Sequence, residues 1–139
     1  MATAVVLIHP RLTPQLVKLD LSGNHLEEVE NLETLSRLQF LNLSYNRITS
    51  VLNLFRAVGN IATLILRGNQ LTSLKGIEKL VGLVRLDLRD NALRCSGWSA
   101  AQCLHAVQPL TPYLQRADWA VYLPAGIYKK WRCWPTCLS

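Results

Sequence analysis

Apolar side chains recur at fixed offsets along this chain, and an asparagine recurs with them. Four stretches share the spacing: Leu16, Leu19, Leu21, Asn24 and Leu26; Leu38, Leu41, Leu43, Asn46 and Ile48; Ile61, Leu64, Leu66, Asn69 and Leu71; Leu83, Leu86, Leu88, Asn91 and Leu93. The period is 22, 23 and 22 residues. The alternation at the fourth and sixth positions of each copy predicts a short strand with leucines on one face and the intervening residues on the other. Successive copies then stack as a parallel sheet. The asparagine falls where the chain leaves the strand, and its amide has donors and an acceptor for backbone groups of its own turn and of the adjacent copy.

Between the strands the apolar period changes to three. Leu26, Val29, Leu32 and Leu35 lead into Leu38, and Leu71, Leu74, Ile77 and Leu80 lead into Leu83. That period suits 3₁₀ or helical turns, whose side chains eclipse every three residues. The second interval runs Ile48, Val51 and Leu54, then slips by one to Val58 and Ile61, which puts its extra residue near Phe55. Self-similarity of this kind marks a repeat architecture. The fold expected is an α/β leucine-rich repeat solenoid, with a short parallel sheet on its concave face and 3₁₀ or helical turns on its convex face.

Solenoids of this type take partners on the concave face. The third position of each copy presents Lys18, Phe40, Thr63 and Arg85, and the fifth presents Asp20, Asn42, Ile65 and Asp87. The seventh adds Ser22, Ser44, Arg67 and Arg89, beside Tyr45 and Asp90 at the eighth. Aromatic and arginine side chains dominate binding hot spots. The candidate partner-binding set is therefore Lys18, Phe40, Tyr45, Ile65, Arg67, Arg85, Asp87 and Arg89, with Asn24, Asn46, Asn69 and Asn91 as a structural ladder. A competing reading pairs Arg85, Arg89, Asp87 and Asp90 with one another on a solvated surface; it leaves the exposed Phe40 and Ile65 unexplained.

Composition divides the chain. Half of its residues are hydrophobic and 17% are charged, which is a globular composition and excludes disorder for most of the chain. Of the net charge of +6, the stretch after Arg94 holds only four basic and one acidic residue, yet it carries all four cysteines and all four tryptophans. The organisation expected is an N-terminal segment over 1–13, repeats over 14–94, and an atypical Cys- and Trp-rich segment over 95–139. In that last segment Ser99 is a candidate N-cap and Ala100, Cys103, Leu104 and Val107 have helical spacing, which predicts a capping helix over 99–108 followed by partial disorder. The coincident loss of repeat pattern and charge at Arg94 points to a shortened or alternatively spliced product. Ala4–Ile8 is apolar but lacks a preceding basic segment, so no signal peptide is expected, and no run is long enough to span a bilayer.

Catalytic chemistry is missing from the pattern. His9, His25 and His105 are scattered, no Gly-rich phosphate loop or nucleophile elbow occurs, and Glu27, Glu28, Glu30 and Glu33 read as a solvated rim. No cofactor is expected. Cys95, Cys103, Cys133 and Cys137 match zinc spacing poorly, so no metal is expected either. Tyr128–Trp134 interleaves aromatic and basic residues, but its three charges are too few for nucleic-acid binding. Asn42-Leu43-Ser44 is a formal glycosylation sequon inside a predicted strand.

The 22-residue spacing with a three-residue outer stripe resembles the SDS22-like class of intracellular leucine-rich repeats, named for a regulatory subunit of protein phosphatase 1. Leu41-Asn-Leu-Ser-Tyr-Asn46, the long interval ending Val58-Gly59-Asn60-Ile61, and Leu86-Asp-Leu-Arg-Asp-Asn91 resemble, within it, the repeats of the nischarin family. This resemblance implies a cytoplasmic or endosome-associated scaffold, without catalysis, whose partners are integrin tails and kinases of the Rac pathway. The class name implies phosphatase regulation as an alternative. A second alternative is an extracellular ectodomain, because Asn91-Ala92-Leu93-Arg94-Cys95 followed by Trp98 is similar to the start of a Cys-rich cap.

Overall fold

Leucines at the fourth and sixth positions of each copy draw the backbone into short extended segments: β1 (Lys18–Asp20), β2 (Phe40–Asn42), β3 (Thr63–Ile65) and β4 (Arg85–Asp87). The computed structural model describes residues 15–30, 32–54, 61–93 and 120–122. The strands pair in parallel and in chain order. Lys18, Phe40, Thr63 and Arg85 stand in register, as do Asp20, Asn42, Ile65 and Asp87 two residues on. Because the register repeats the sequence unit, each copy lays the same offsets over those of its neighbour. The ladder continues past the strand ends: the Leu43 N–H donates to the Ile65 carbonyl at 2.8 Å, Tyr45 to Arg67 at 2.8 Å, and Gly68 to Arg89 at 2.9 Å.

The return segments obey the period of three. The N–H of Leu35 donates to the Leu32 carbonyl at 3.0 Å and that of Leu38 to Leu35 at 3.0 Å. Leu54 likewise bonds Val51 at 3.1 Å, Leu80 bonds Ile77 at 3.0 Å and Leu83 bonds Leu80 at 2.9 Å. Each closes a 3₁₀-type turn with an apolar residue at both ends, and Ile77–Lys79 extends into a 3₁₀ helix. All these apolar residues point inward to meet the strand leucines. Leu32, Leu41, Leu43, Leu64, Leu66, Leu71, Leu83, Leu86 and Leu88 are fully buried, and one cluster joins the buried residues described between Leu26 and Leu93. Burial of one such leucine stabilises by about 1.5–3 kcal/mol. At the first copy Leu16, Leu19 and Leu21 are only partly buried.

A fifth strand, which the apolar pattern does not flag, follows from the Cys- and Trp-rich segment. Ala120–Tyr122 forms β5 and pairs in parallel with β4, placing Ala120 beside Arg85, Val121 beside Leu86 and Tyr122 beside Asp87. The sheet therefore runs β1-β2-β3-β4-β5. The slip near Phe55, the capping helix over 99–108, the four cysteines and the N-terminal segment lie outside the described residues. Among the described residues no helix is long and apolar enough to cross a membrane.

Candidate functional site

The asparagines decide how the sheet face is held. Asn69 is buried; its Nδ2 donates to the carbonyls of Leu66 at 3.0 Å and of Leu43, in the preceding copy, at 2.9 Å. Its Oδ1 accepts from the N–H of Ile48 at 3.0 Å. Asn46 repeats the arrangement, with Nδ2 to Leu43 at 3.1 Å and Leu21 at 3.0 Å, and Oδ1 from Leu26 at 3.0 Å. Asn91 does so with Leu88 at 3.0 Å, Leu66 at 2.8 Å and Leu71 at 3.1 Å. Asn24 is exposed and, among the described residues, reaches only its own turn, at Leu21 (2.9 Å) and Ser22 (3.3 Å).

A second device, which sequence reasoning missed, lies on the outward face. The side chain at the fifth position caps the backbone N–H at the seventh: Asp20 Oδ1 accepts from Ser22 N at 2.9 Å, Asn42 Oδ1 from Ser44 N at 3.1 Å, and Asp87 Oδ1 from Arg89 N at 3.1 Å. Such Asx turns lock the strand exit. The Ser22 and Ser44 hydroxyls add bonds of 2.6 Å to the same carboxylate and amide oxygens, and Asn42 Nδ2 links the first two copies through Asp20 Oδ2 at 2.9 Å. That amide is the formal sequon nitrogen, already committed within the sheet. The signal in the sequence was an Asp or Asn two residues before each Ser22, Ser44 and Arg89. In the third copy the position is Ile65, a side chain that accepts no hydrogen bond.

Charge on the face is paired. Arg89 forks onto Asp87, with Nη2 to Oδ2 at 2.6 Å and Nε to Oδ1 at 3.0 Å. Asp87 is 7% exposed on this face, beneath Arg89, which occupies both carboxylate oxygens, as the reading that pairs these charges with one another expects. Burial alone would raise the Asp87 pKa, but the side-chain and backbone bonds from Arg89 outweigh it and hold the carboxyl below its ordinary range. The hydroxyl and N–H of Ser22, and then Asn42, hold Asp20 low in the same way. Arg67 reaches the fourth copy, where its Nε donates to Asp90 Oδ2 at 2.7 Å. Exposed pairs of that kind contribute little to stability, so their value lies in where they hold a side chain.

Between these pairs the face carries an apolar stretch. Phe40 is half-buried on β2, and Ile65, half-buried on β3, stands beside Asn42 in the register, diagonal to Phe40 on the same outward face. Tyr45 follows at the rim and is 56% exposed. Lys18 and Arg85 lie exposed at opposite ends of the third-position row, separated by two strands. The structure thus groups Phe40, Tyr45, Ile65 and Arg67 near the centre, pairs Arg89 with Asp87, and leaves Lys18 apart. Among the described residues no three His, Cys, Asp or Glu side chains cluster to hold a metal.

Comparison with known proteins agrees with this geometry. A 42% identical relative, an uncharacterized leucine-rich repeat-containing protein of Schizosaccharomyces pombe, aligns over 80 residues, which is 56% of this chain and 13% of the relative. An internalin from Listeria monocytogenes superposes over 86% of this chain and 31% of its own with a TM-score of 0.66; at 19% identity that likeness is one of fold. A chain of the Drosophila melanogaster SNF/U2A′ complex, 34% identical, superposes over 68% of this chain and 57% of its own with a TM-score of 0.51. The chain therefore spans a fraction of the proteins it matches. Residues 12–93 match the leucine-rich repeat family, and with the in-register sheet, the asparagine ladder and the 3₁₀ returns this makes the chain a member of it.

Proposed function

We propose that this chain is a non-catalytic protein-interaction module that takes its partner on the outward, concave face of the sheet. The observation that carries this is Ile65. Three copies put a turn-locking Asp or Asn at that position, while the third gives up the cap and sets an aliphatic side chain diagonal to Phe40 on a face otherwise polar. Two apolar side chains with Arg67 two residues along from Ile65 and Arg85 on the adjoining strand have the composition of an interface centre, not of a solvated surface. The Drosophila melanogaster SNF/U2A′ complex, one chain of which superposes over 68% of this chain, joins U2A′ to SNF.

The first partners to try are those implied by the nischarin-type resemblance, integrin cytoplasmic tails and Rac-pathway kinases in a cytoplasmic or endosomal setting; the phosphatase 1 catalytic subunit follows from the class. Binding to immobilised protein should be lost with the Phe40→Ala/Ile65→Ser double substitution and kept with Val81→Ala, which changes an exposed residue ahead of β4. Equal recovery by both variants moves the site off this face.

A further inference from the structure

The eighth position of every copy is left-handed: φ is 69° at Gly23, 55° at Tyr45, 70° at Gly68 and 57° at Asp90. Glycine adopts this freely and Asp tolerates it, whereas a bulky aromatic rarely does. Nothing in the turn calls for an aromatic, since glycine makes the same turn in the first and third copies. The strained backbone at Tyr45 carries a ring that remains 56% exposed. Strain of this kind collects at binding sites.

The third copy packs against that ring, and the fourth holds it there through Arg67. Gly68 gives it room: a Cβ there would lie 2.6 Å from Tyr45 Cδ1. The guanidinium carbon of Arg67 is 5.9 Å from the ring centroid, within range of a cation–π attraction. Asp90 holds Arg67 through Nε alone, and among the described residues neither terminal nitrogen of Arg67 has an acceptor. Those two nitrogens form the fork that matches a carboxylate in two parallel hydrogen bonds. Thr63, Ile65 and Arg67 alternate onto one face, which sets the apolar Ile65 about 7 Å along the strand from Arg67.

Resting on the concave-face reading above, we infer that Tyr45 and Arg67 form a subsite for an Asp or Glu side chain of a partner polypeptide, with Ile65 and Phe40 taking an apolar side chain beside it. Arg67 receives the carboxylate, Tyr45 covers it from one side, and Asp90 and Gly68 fix the two in place. A lysine at position 67 keeps the charge but loses the fork and the stacking plane.

The test is selection of a random 16-residue peptide display library on the full chain, followed by titration of a synthetic selected peptide. The expected outcome is enrichment of an acidic residue near an aliphatic or aromatic one. Affinity should fall at least tenfold with Arg67→Lys, with Tyr45→Gly, and with amide replacement of the peptide's acidic residue. Thermal melts of both protein variants should stay near wild type, which separates lost recognition from lost folding. Peptides sensitive to Phe40→Ala and Ile65→Ala but indifferent to Arg67→Lys and Tyr45→Gly would overturn the subsite and leave the concave-face reading standing. A library that returns no binder dependent on any of the four residues overturns both.

Discussion

Asn69 donates its side-chain amide to the carbonyl oxygen of Leu43, one whole copy earlier, at 2.9 Å. The same amide group also holds Leu66 and Ile48, so one side chain satisfies three backbone groups in two copies. Removing it strands buried donors and acceptors, each costing about 1–3 kcal/mol. Asn69→Ala is expected to destabilise by at least about 2 kcal/mol, whereas Asn24→Ala, at an exposed residue bonded among the described residues only within its own turn, should cost under about 1. Urea titration of both variants checks the difference, and equal midpoints would mean that the inter-copy bonds carry no weight.

Leu66 joins the strand face to the core and has no exposed surface. Truncation to alanine should cost about 2–5 kcal/mol, a large part of the roughly 5–15 that holds a domain together. Leu66→Ala is therefore expected to be mostly unfolded at body temperature by circular dichroism. Val81→Ala, at a residue 72% exposed, should melt within a few degrees of wild type.

What was legible beforehand follows from which forces act at fixed sequence offsets. Burial of like side chains recurs with the unit, so the strand leucines, the period-three stripe and the ladder asparagines could be read directly from Leu16 to Leu93. Interactions made by a single copy could not. The burial of Asp87 depends on Arg89 folding back over it two residues later, and the cap from the fifth position to the seventh depends on an Asp or Asn that Ile65 replaces in the third copy. The left-handed eighth position was visible only as Gly23 and Gly68 in two copies out of four, with Tyr45 masking the rule. β5 was illegible for another reason: Ala120–Tyr122 shares no motif with the repeats and joins the sheet by pairing with a strand more than thirty residues earlier. Of the candidate site, the residue types were apparent and the Arg89–Asp87 pair was one of two readings, whereas the reach of Arg67 to Asp90 in the next copy was not.

Tyr45 and Gly68 should couple in stability. Gly68→Ala pays a left-handed penalty of about 1–2 kcal/mol and drives its new methyl into the Tyr45 ring. Tyr45→Gly relieves both the ring's steric demand and its own backbone strain, and should leave stability within about 1 kcal/mol of wild type. In the Tyr45→Gly background the cost of Gly68→Ala is expected to shrink to the backbone part alone. A double-mutant cycle measured by chemical denaturation reads this directly; an unchanged cost in both backgrounds would place the ring away from Gly68.

Acid should weaken the strand exits. Asp20 and Asp87 both have folded pKa values below the ordinary 3.8. The folded state therefore binds fewer protons than the unfolded one in this range, and stability falls as pH drops. Their contribution is complete above 3.8, declines as pH falls below it, and is gone once pH passes the depressed folded values. Urea midpoints should consequently fall between pH 4 and the acid limit of folding. Asp87→Asn is expected to fold, because Asn42 caps the same turn in the second copy. It lacks the titrating carboxyl, so its midpoint should be lower than wild type at pH 7 yet decline less steeply on acidification. Parallel pH profiles for the two proteins would show that the Arg89–Asp87 pair does not govern this loss.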